Sequence, residues 1–268
     1  MTQSPLIAEL KSRALIQVSG PDWRSFLQGL LTQDVDGLGP GALRFAGLLT
    51  PQGKLLFDLF LFGQDDGCLV DVAAARQDAL IQRLTLYRLR AKVEIAAVKG
   101  AVLAAWPATE GPGWAVDPRF EALGARGYGV AAPATVADEA AYDAHRLSLG
   151  VPDPAADCPP ETTYPIEANF DLLGGIDFKK GCFVGQETTS RMKRRGSIKS
   201  RMLPIRFDGP APPVGAEVLA GTLRAGEVLT GADGAAMALL RLDRIEGVAL
   251  TVDNRPVTLA RPGYLDRD

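Results

Sequence analysis

Histidine and cysteine are scarce in this 268-residue chain, which has one histidine, His145, and three cysteines, Cys68, Cys158 and Cys182. They lie far apart and include no C-x-x-C pair, so a zinc or iron–sulfur site held by this chain alone is not expected. An odd number of cysteines with no framework of pairs predicts a reducing compartment. Long apolar runs are also missing. No segment approaches the roughly 20 apolar residues of a membrane-spanning helix, and Met1 to Arg13 lacks a basic start followed by an apolar stretch. A cytoplasmic protein without membrane contact is therefore expected. Nor does one sign of charge prevail: 29 Lys and Arg stand against 32 Asp and Glu, a net charge of −3. That excludes a globally basic nucleic-acid binder and leaves room for a local basic patch. There is no repeat of fixed period and no low-complexity tail.

What is present is ample apolar material, 47% of the residues, in a chain long enough for two or three compact units. Leu15-Ile16-Gln17-Val18 reads as a strand closed by Ser19-Gly20-Pro21. Asp22 is then placed to cap a helix with Trp23, Phe26, Leu27 and Leu30 on its buried face. Thr32-Gln33-Asp34 is polar and leaves that helix, either as an ordinary exit or as the lining of a cleft. Ala42 to Leu49 and Lys54 to Phe62 are strand-like, joined by the hairpin chemistry of Thr50-Pro51-Gln52-Gly53. Asp58 interrupts the second run. By alternation it shares a face with Lys54, Leu56 and Phe60, and the solvated side of the sheet is its expected place. Cys68 to Val72 reads as a strand, Ala74 to Leu89 as a helix, and Lys92 to Val98 alternates again. The order predicts an α+β layer with helices on one side of a mainly antiparallel sheet.

Thr135 and Asp138 resemble a capping box for a helix running to about Leu149, in which His145 is structural. Val151 to Thr163 is rich in proline and reads as an irregular connector. After Lys199 only short strand-like runs follow, between turns rich in Gly, Pro and Asp, which predicts a separate small antiparallel barrel or sandwich.

The stretch from Lys179 to Gly196 is unlike the rest. Gly181 and Gly185 flank Cys182-Phe183-Val184, and Gln186 to Arg195 reads as a short helix stopped by Gly196. Cys182 then precedes a helix N-terminus beside Lys179 and Lys180, a setting that favours thiolate. The alternative is a small buried hydrophobe, the usual fate of a free cysteine. Glu167, Asn169 and Glu187 are polar groups on short glycine-punctuated segments that could converge.

Lys180-Gly181-Cys182-Phe183-Val184-Gly185-Gln186-Glu187 resembles the signature K-G-C-[YF]-x-G-Q-E of the YgfZ family, folate-binding proteins related to the T-protein (aminomethyltransferase) of the glycine cleavage system. Phe26-Leu27-Gln28-Gly29-Leu30-Leu31-Thr32-Gln33-Asp34-Val35 is similar to that family's F-L-Q-G-x-x-T-x-D-V segment, and Thr50-Pro51-Gln52-Gly53-Lys54 to its P-x-G-K hairpin. Arg146 to Gly150 and Glu167-Ala168-Asn169 resemble the segment leading to the signature. The resemblance implies an α+β fold of three domains around a central opening: residues 1–50 with 100–198 as a discontinuous folate-binding domain, 51–99 as a second α+β domain, and 199–268 as a C-terminal β-barrel. It implies tetrahydrofolate or a derivative as ligand, and a role in iron–sulfur cluster assembly or repair with client or assembly proteins as partners. Glu167 and Glu187 would hold the pterin and Arg191, Lys193, Arg194 and Arg195 the glutamate tail, unless those cations form a solvated helix face, with Asn169, Lys180 and Gln186 completing the ligand set.

Two departures matter. The aminomethyltransferases carry an acidic pair in a D-D-L pattern where this chain has Phe57-Asp58-Leu59, and Cys182 stands where they generally have aspartate. An accessory factor acting through Cys182 is therefore expected. The alternative is a tetrahydrofolate-dependent aminomethyltransferase or other one-carbon transferase with Asp58 as its acid–base group. A nucleic-acid module using Lys179 to Arg201 would lack interleaved aromatics and is not expected. A monomer is the default, since no exposed helix face or long apolar edge announces an interface.

Overall fold

The computed structural model describes residues 4–131, 137–196 and 198–266. The chain opens with β1 (Leu6–Glu9), β2 (Arg13–Ser19), α1 (Trp23–Gln28), β3 (Leu43–Leu49), β4 (Leu55–Gln64) and β5 (Gly67–Ala73). It continues with α2 (Gln77–Arg88), β6 (Glu94–Val98), β7 (Val102–Trp106), β8 (Trp114–Val116), β9 (Ala125–Tyr128), α3 (Glu139–Ser148), α4 (Pro154–Asp157) and α5 (Gln186–Arg195). The last part holds β10 (Ser200–Arg206), β11 (Glu217–Ala220), β12 (Leu223–Ala232), β13 (Ala235–Arg241), α6 (Leu242–Ile245), β14 (Leu250–Val252) and β15 (Arg255–Leu259).

These strands make three antiparallel sheets. The first has the order β3-β4-β5-β2-β6, the second β1-β7-β9-β8, and the third closes as the barrel β10-β13-β12-β11-β14-β15. One face of the first sheet packs Leu48, Leu59, Leu61, Val70 and Val72 against Trp23 and Leu27 of α1 and Leu80 and Leu84 of α2. Its other face carries Phe45, Phe60 and Phe62 into a second cluster with Ala104 and Tyr128 of the second sheet and Ile166, Phe170 and Phe183 of the segment before α5. A sheet covered on both faces needs apolar residues at nearly every position, which is why β4 reads as a continuous run. The predicted helices on one side of an antiparallel sheet are there. Strand pairing runs across residue 50, since β2 and β3 share a sheet with β4, β5 and β6.

Four local expectations are corrected. Asp22 does not cap α1; its carboxylate accepts from Lys92 N at 2.8 Å and ties the helix start to the strand after α2. Leu56 does not share a face with Asp58, because a bulge where Leu48 pairs with Phe57 and Leu49 with Leu55 turns it into the helix-side cluster. The proline-rich connector contains one helical turn, α4, with Pro154 at a position where its missing N–H costs nothing. A further turn, α6, interrupts the run of barrel strands. Asp138 caps α3 by accepting from Ala141 N at 2.9 Å, while Thr135 lies outside the described residues. No helix among the described residues is long and apolar enough to cross a membrane.

Candidate functional site

The segment before α5 is fastened to the first sheet at several points. Thr32 is buried, donates to Gly175 O at 2.5 Å and accepts from Gly47 N at 2.7 Å, so the polar exit from α1 is a joint between β3 and the approaching chain. Asp177 accepts from the backbone N–H groups of Lys179 and Lys180, turning the chain sharply. Lys180 then spends all three ammonium hydrogens on carbonyls, those of Gln28 (2.8 Å), Leu31 (2.7 Å) and Gln33 (2.9 Å). These carbonyls lie at and just beyond the C-terminal end of α1, where helix carbonyls lack partners. Burial draws its ammonium down to about 8, against the pull of Asp34 and Asp177.

Gly185 forms the second anchor. It sits at φ +80° facing the hairpin, and a Cβ there would fall 2.6 Å from Thr50 O and 3.0 Å from Gly53 Cα. Only glycine permits both that conformation and that approach. Cys182 lies between the two anchors and is exposed, whereas Cys68 and Cys158 are buried. Burial pushes the Cys68 thiol up to about 12 and raises that of Cys158 well above its ordinary value, the setting of packed thiols and not of reactive ones. The buried-hydrophobe alternative for Cys182 does not hold.

The other predicted site residues divide. Gln186, Glu187, Arg191 and Arg195 share α5 with the Cys182 loop at its head; Glu187, Arg191 and Arg195 are exposed, and Gln186 is half-buried. Glu167 is half-buried and its carboxylate accepts from Tyr164 N at 2.9 Å, closing a local turn. Asn169 is fully buried at φ +61°, and its amide donates to Met202 O (2.7 Å) and Tyr264 Oη (3.1 Å) while accepting from Arg201 (3.1 Å). It joins the barrel to the rest of the chain and presents nothing to a ligand. Lys180 is likewise fully committed to carbonyls.

Asp58 goes elsewhere. It is only 5% exposed, not on a solvated face, and accepts from Arg13 at 2.9 Å. Arg13 also donates to Asp71 at 2.6 Å, and Asp71 accepts in turn from Arg126 (3.0 Å) and Tyr128 Oη (2.9 Å). Arg119 grips Asp117 through two bonds of 3.0 and 2.8 Å and donates to Tyr142 Oη. Three guanidiniums thus face three carboxylates, with Phe60 beneath Arg126 (3.8 Å to the ring centre) and Arg119 (4.8 Å). Burial alone would lower the Arg13 and Arg119 pKa values; Asp71 and Asp58 for the first, and Asp117 for the second, reverse this and hold both charges firmly. Burial would lift the Asp117 carboxyl, but Arg119 and Arg126 keep it below its ordinary value. Arg13, Asp58, Phe60, Arg119, Arg126 and Tyr142 border a narrow cleft of about 30 Å³, lined also by Glu139, Asp143, Arg146 and Asp153.

Of the predicted residues only Asp58 lines this cleft. The partners that sequence reasoning missed are Arg13, Asp71, Arg119 and Arg126. Asp71 carried a usable signal, being the one charge in Cys68-Leu69-Val70-Asp71-Val72, as Asp58 is in its own strand.

Residues 199–266 match the family model described as CAF17, C-terminal beta-barrel domain. The mitochondrial iron-sulfur cluster assembly factor IBA57 of Homo sapiens is 32% identical over 277 residues, which cover 89% of this chain and 78% of the human protein. The chain belongs to the IBA57 family. An IBA57 homolog of Mycosarcoma maydis is 34% identical over 237 residues, 77% of this chain. This chain spans 59% of that relative and 56% of one from Neurospora crassa. All these relatives are named as mitochondrial, which overturns the expectation of a cytoplasmic protein. The crystal structure of glycine cleavage system aminomethyltransferase T from Bartonella henselae superposes with a TM-score of 0.76 at 18% identity, over 96% of this chain and 84% of that one. The fold of this IBA57-family chain is therefore that of aminomethyltransferase T, closed by a six-stranded antiparallel barrel.

Proposed function

We propose that this chain is an accessory factor for iron–sulfur cluster assembly or repair in client enzymes, with Cys182 supplying one thiolate to a cluster it shares with a partner. The carrying observation is the exposure of Cys182 on a loop held by Lys180 on one side and Gly185 on the other. A single thiolate cannot secure a cluster, so the other ligands come from the partner or from small thiols. A thiol held on a fixed loop loses little freedom when a partner docks. Lys179 and the cations of α5 favour an anionic cluster–thiolate assembly. The names of the IBA57 relatives support this reading, and the K-G-C-[YF]-x-G-Q-E match supports a place beside the YgfZ proteins.

Tetrahydrofolate or a derivative is the proposed ligand, supported by the resemblance to the folate-binding YgfZ proteins, although the cleft as it stands, about 30 Å³, does not fit one. Phe60 is covered by Arg126 and Arg119, Tyr142 is buried against Arg119, and Arg146 is paired with Asp143 at 2.8 Å, so the cleft offers a pterin no free ring face and its tail no free guanidinium at Arg146. When bound, a reduced folate would supply a one-carbon carrier or a reductant. The ion pair between Asp58 and Arg13 argues against the transferase alternative, because a carboxylate committed to a guanidinium is a poor proton acceptor.

The test of the main reading is Cys182→Ser. In cells, cluster-dependent enzymes should lose activity while the purified variant keeps its thermal stability and folate affinity; full activity of those enzymes would sink the proposal. For folate, anaerobic calorimetric titration with tetrahydrofolate compares wild type, Tyr142→Ala and Glu187→Gln. Weakening by Tyr142→Ala alone assigns the cleft, and weakening by Glu187→Gln alone assigns α5. No binding by a folded wild type removes folate from the proposal.

A further inference from the structure

Strand β6 is an edge of the first sheet. It pairs with β2 from Glu94 opposite Ser19 to Val98 opposite Leu15, and among the described residues nothing pairs with its other side. Natural edge strands are usually shielded by charge, proline or a covering loop, since a free row of N–H and C=O groups is a template for another strand. This edge reads Glu94-Ile95-Ala96-Ala97-Val98, with one charge, at its first residue, and no proline.

The end of α2, which packs across β6 and β2, adds apolar surface next to that edge. Leu86 is 71% exposed and Leu89 is 88% exposed. Leu89 also holds φ +44° and ψ −104°, a backbone conformation that a branched side chain adopts only at a cost. An exposed leucine held in a strained conformation gains nothing from its own fold. Arg90 and Lys92 follow it on the way to β6 and Lys99 stands just past the far end of that strand, all exposed and none within ion-pair distance of a carboxylate among the described residues.

We propose that β6, with Leu86 and Leu89, is a docking site for an extended acidic segment of a partner protein, which adds to the first sheet as a further strand. Main-chain hydrogen bonds to β6 hold the segment, apolar side chains cover the two leucines, and carboxylates meet Arg90, Lys92 and Lys99. The charges decide against a second copy of this chain, since two β6 edges side by side would bring the same cations together. The free ladder decides against a lipid surface, which offers no strand. This site involves none of the residues of the Cys182 loop or the cleft.

A fluorescein-labelled peptide of alternating valine and glutamate is the probe, read by anisotropy and by amide hydrogen exchange of the protein. The expected result is saturable binding that protects the amides of residues 94–98 and weakens roughly tenfold in the Arg90→Glu, Lys92→Glu double variant. Leu89→Gly, which relieves the backbone strain, should also bind the peptide more weakly while folding at least as stably. The proposal is overturned if the acidic peptide does not bind, if a valine–lysine peptide binds equally well, or if the double variant binds as wild type does. Self-association lost in Ala96→Pro would assign the edge to a second copy. Binding to vesicles of phosphatidylserine and phosphatidylcholine, with no peptide binding, would assign it to a membrane.

Discussion

Lys180 shows how one side chain can look like a ligand-binding residue in sequence and be a fastening in structure. Its motif sits beside Cys182, but its ammonium is used up by three carbonyls at the end of α1. Lys180→Met would leave those acceptors without their donor and is expected to cost about 2–3 kcal/mol, since buried groups that lose a charged partner pay most. Urea denaturation at neutral pH measures this, and a loss under 0.5 kcal/mol would show that water replaces the ammonium. His145 titrates in the opposite setting. Burial lowers its pKa from 6.5, and the ring stacks on Trp106 with Nε2 2.9 Å from Ala122 O, the arrangement of a neutral donor. The unfolded chain therefore binds the proton more tightly. Stability carried by His145 is complete above about pH 6.5 and falls as the pH drops through the lower folded value. Melting temperatures at pH 5 and 7 should differ less for His145→Gln than for wild type.

At the scale of elements, what could be read locally was read well. Helix α5 ends where expected because Gly185 and Gly196 both take positive φ, at +80° and +62°, which marks them as breaks in any chain. The hairpin after β3 and the barrel strands were legible for the same reason: turn chemistry is written in adjacent residues. The cleft and the ion-pair network beside it were not, because their groups arrive from β2, β4, β5 and β9 and meet only once the sheets have stacked. Asp58 was seen as a charge in an apolar strand, but its burial depends on Arg13, 45 positions away. The centre of that network is Asp71, fully buried and shared by Arg13, Arg126 and Tyr128. Asp71→Asn would keep the shape and remove the charge, leaving two buried guanidiniums short of a counter-ion. A loss of about 3–5 kcal/mol is expected. Chemical denaturation checks it, and a variant as stable as wild type would show that water or Asp58 compensates.

For the whole molecule the question is what makes the barrel and the two sheets one cooperative body. The barrel has its own core, from Leu203 and Ile205 to Val252 and Val257, so it does not need its neighbours to bury apolar surface. What binds it to them is a compact polar joint. Met202 N donates to Glu167 O at 2.8 Å, Arg201 holds Asp171 through two bonds of 2.9 Å, and Tyr264, fully buried, donates to Gly150 O at 2.7 Å. Asn169 touches Met202, Tyr264 and Arg201, and so connects all three. Networks of this kind fail together when one member is lost. Asn169→Ala leaves a phenol, a carbonyl and a guanidinium short of a partner and places alanine at φ +61°, at an expected cost of about 3 kcal/mol. Because the barrel keeps its own core, that loss should fall on the joint. Scanning calorimetry is expected to show one transition for wild type and two for Asn169→Ala. A single transition at unchanged temperature would mean that the apolar contacts between barrel and sheets, with Met202, Leu229 and Met237 in the shared cluster, suffice to couple them.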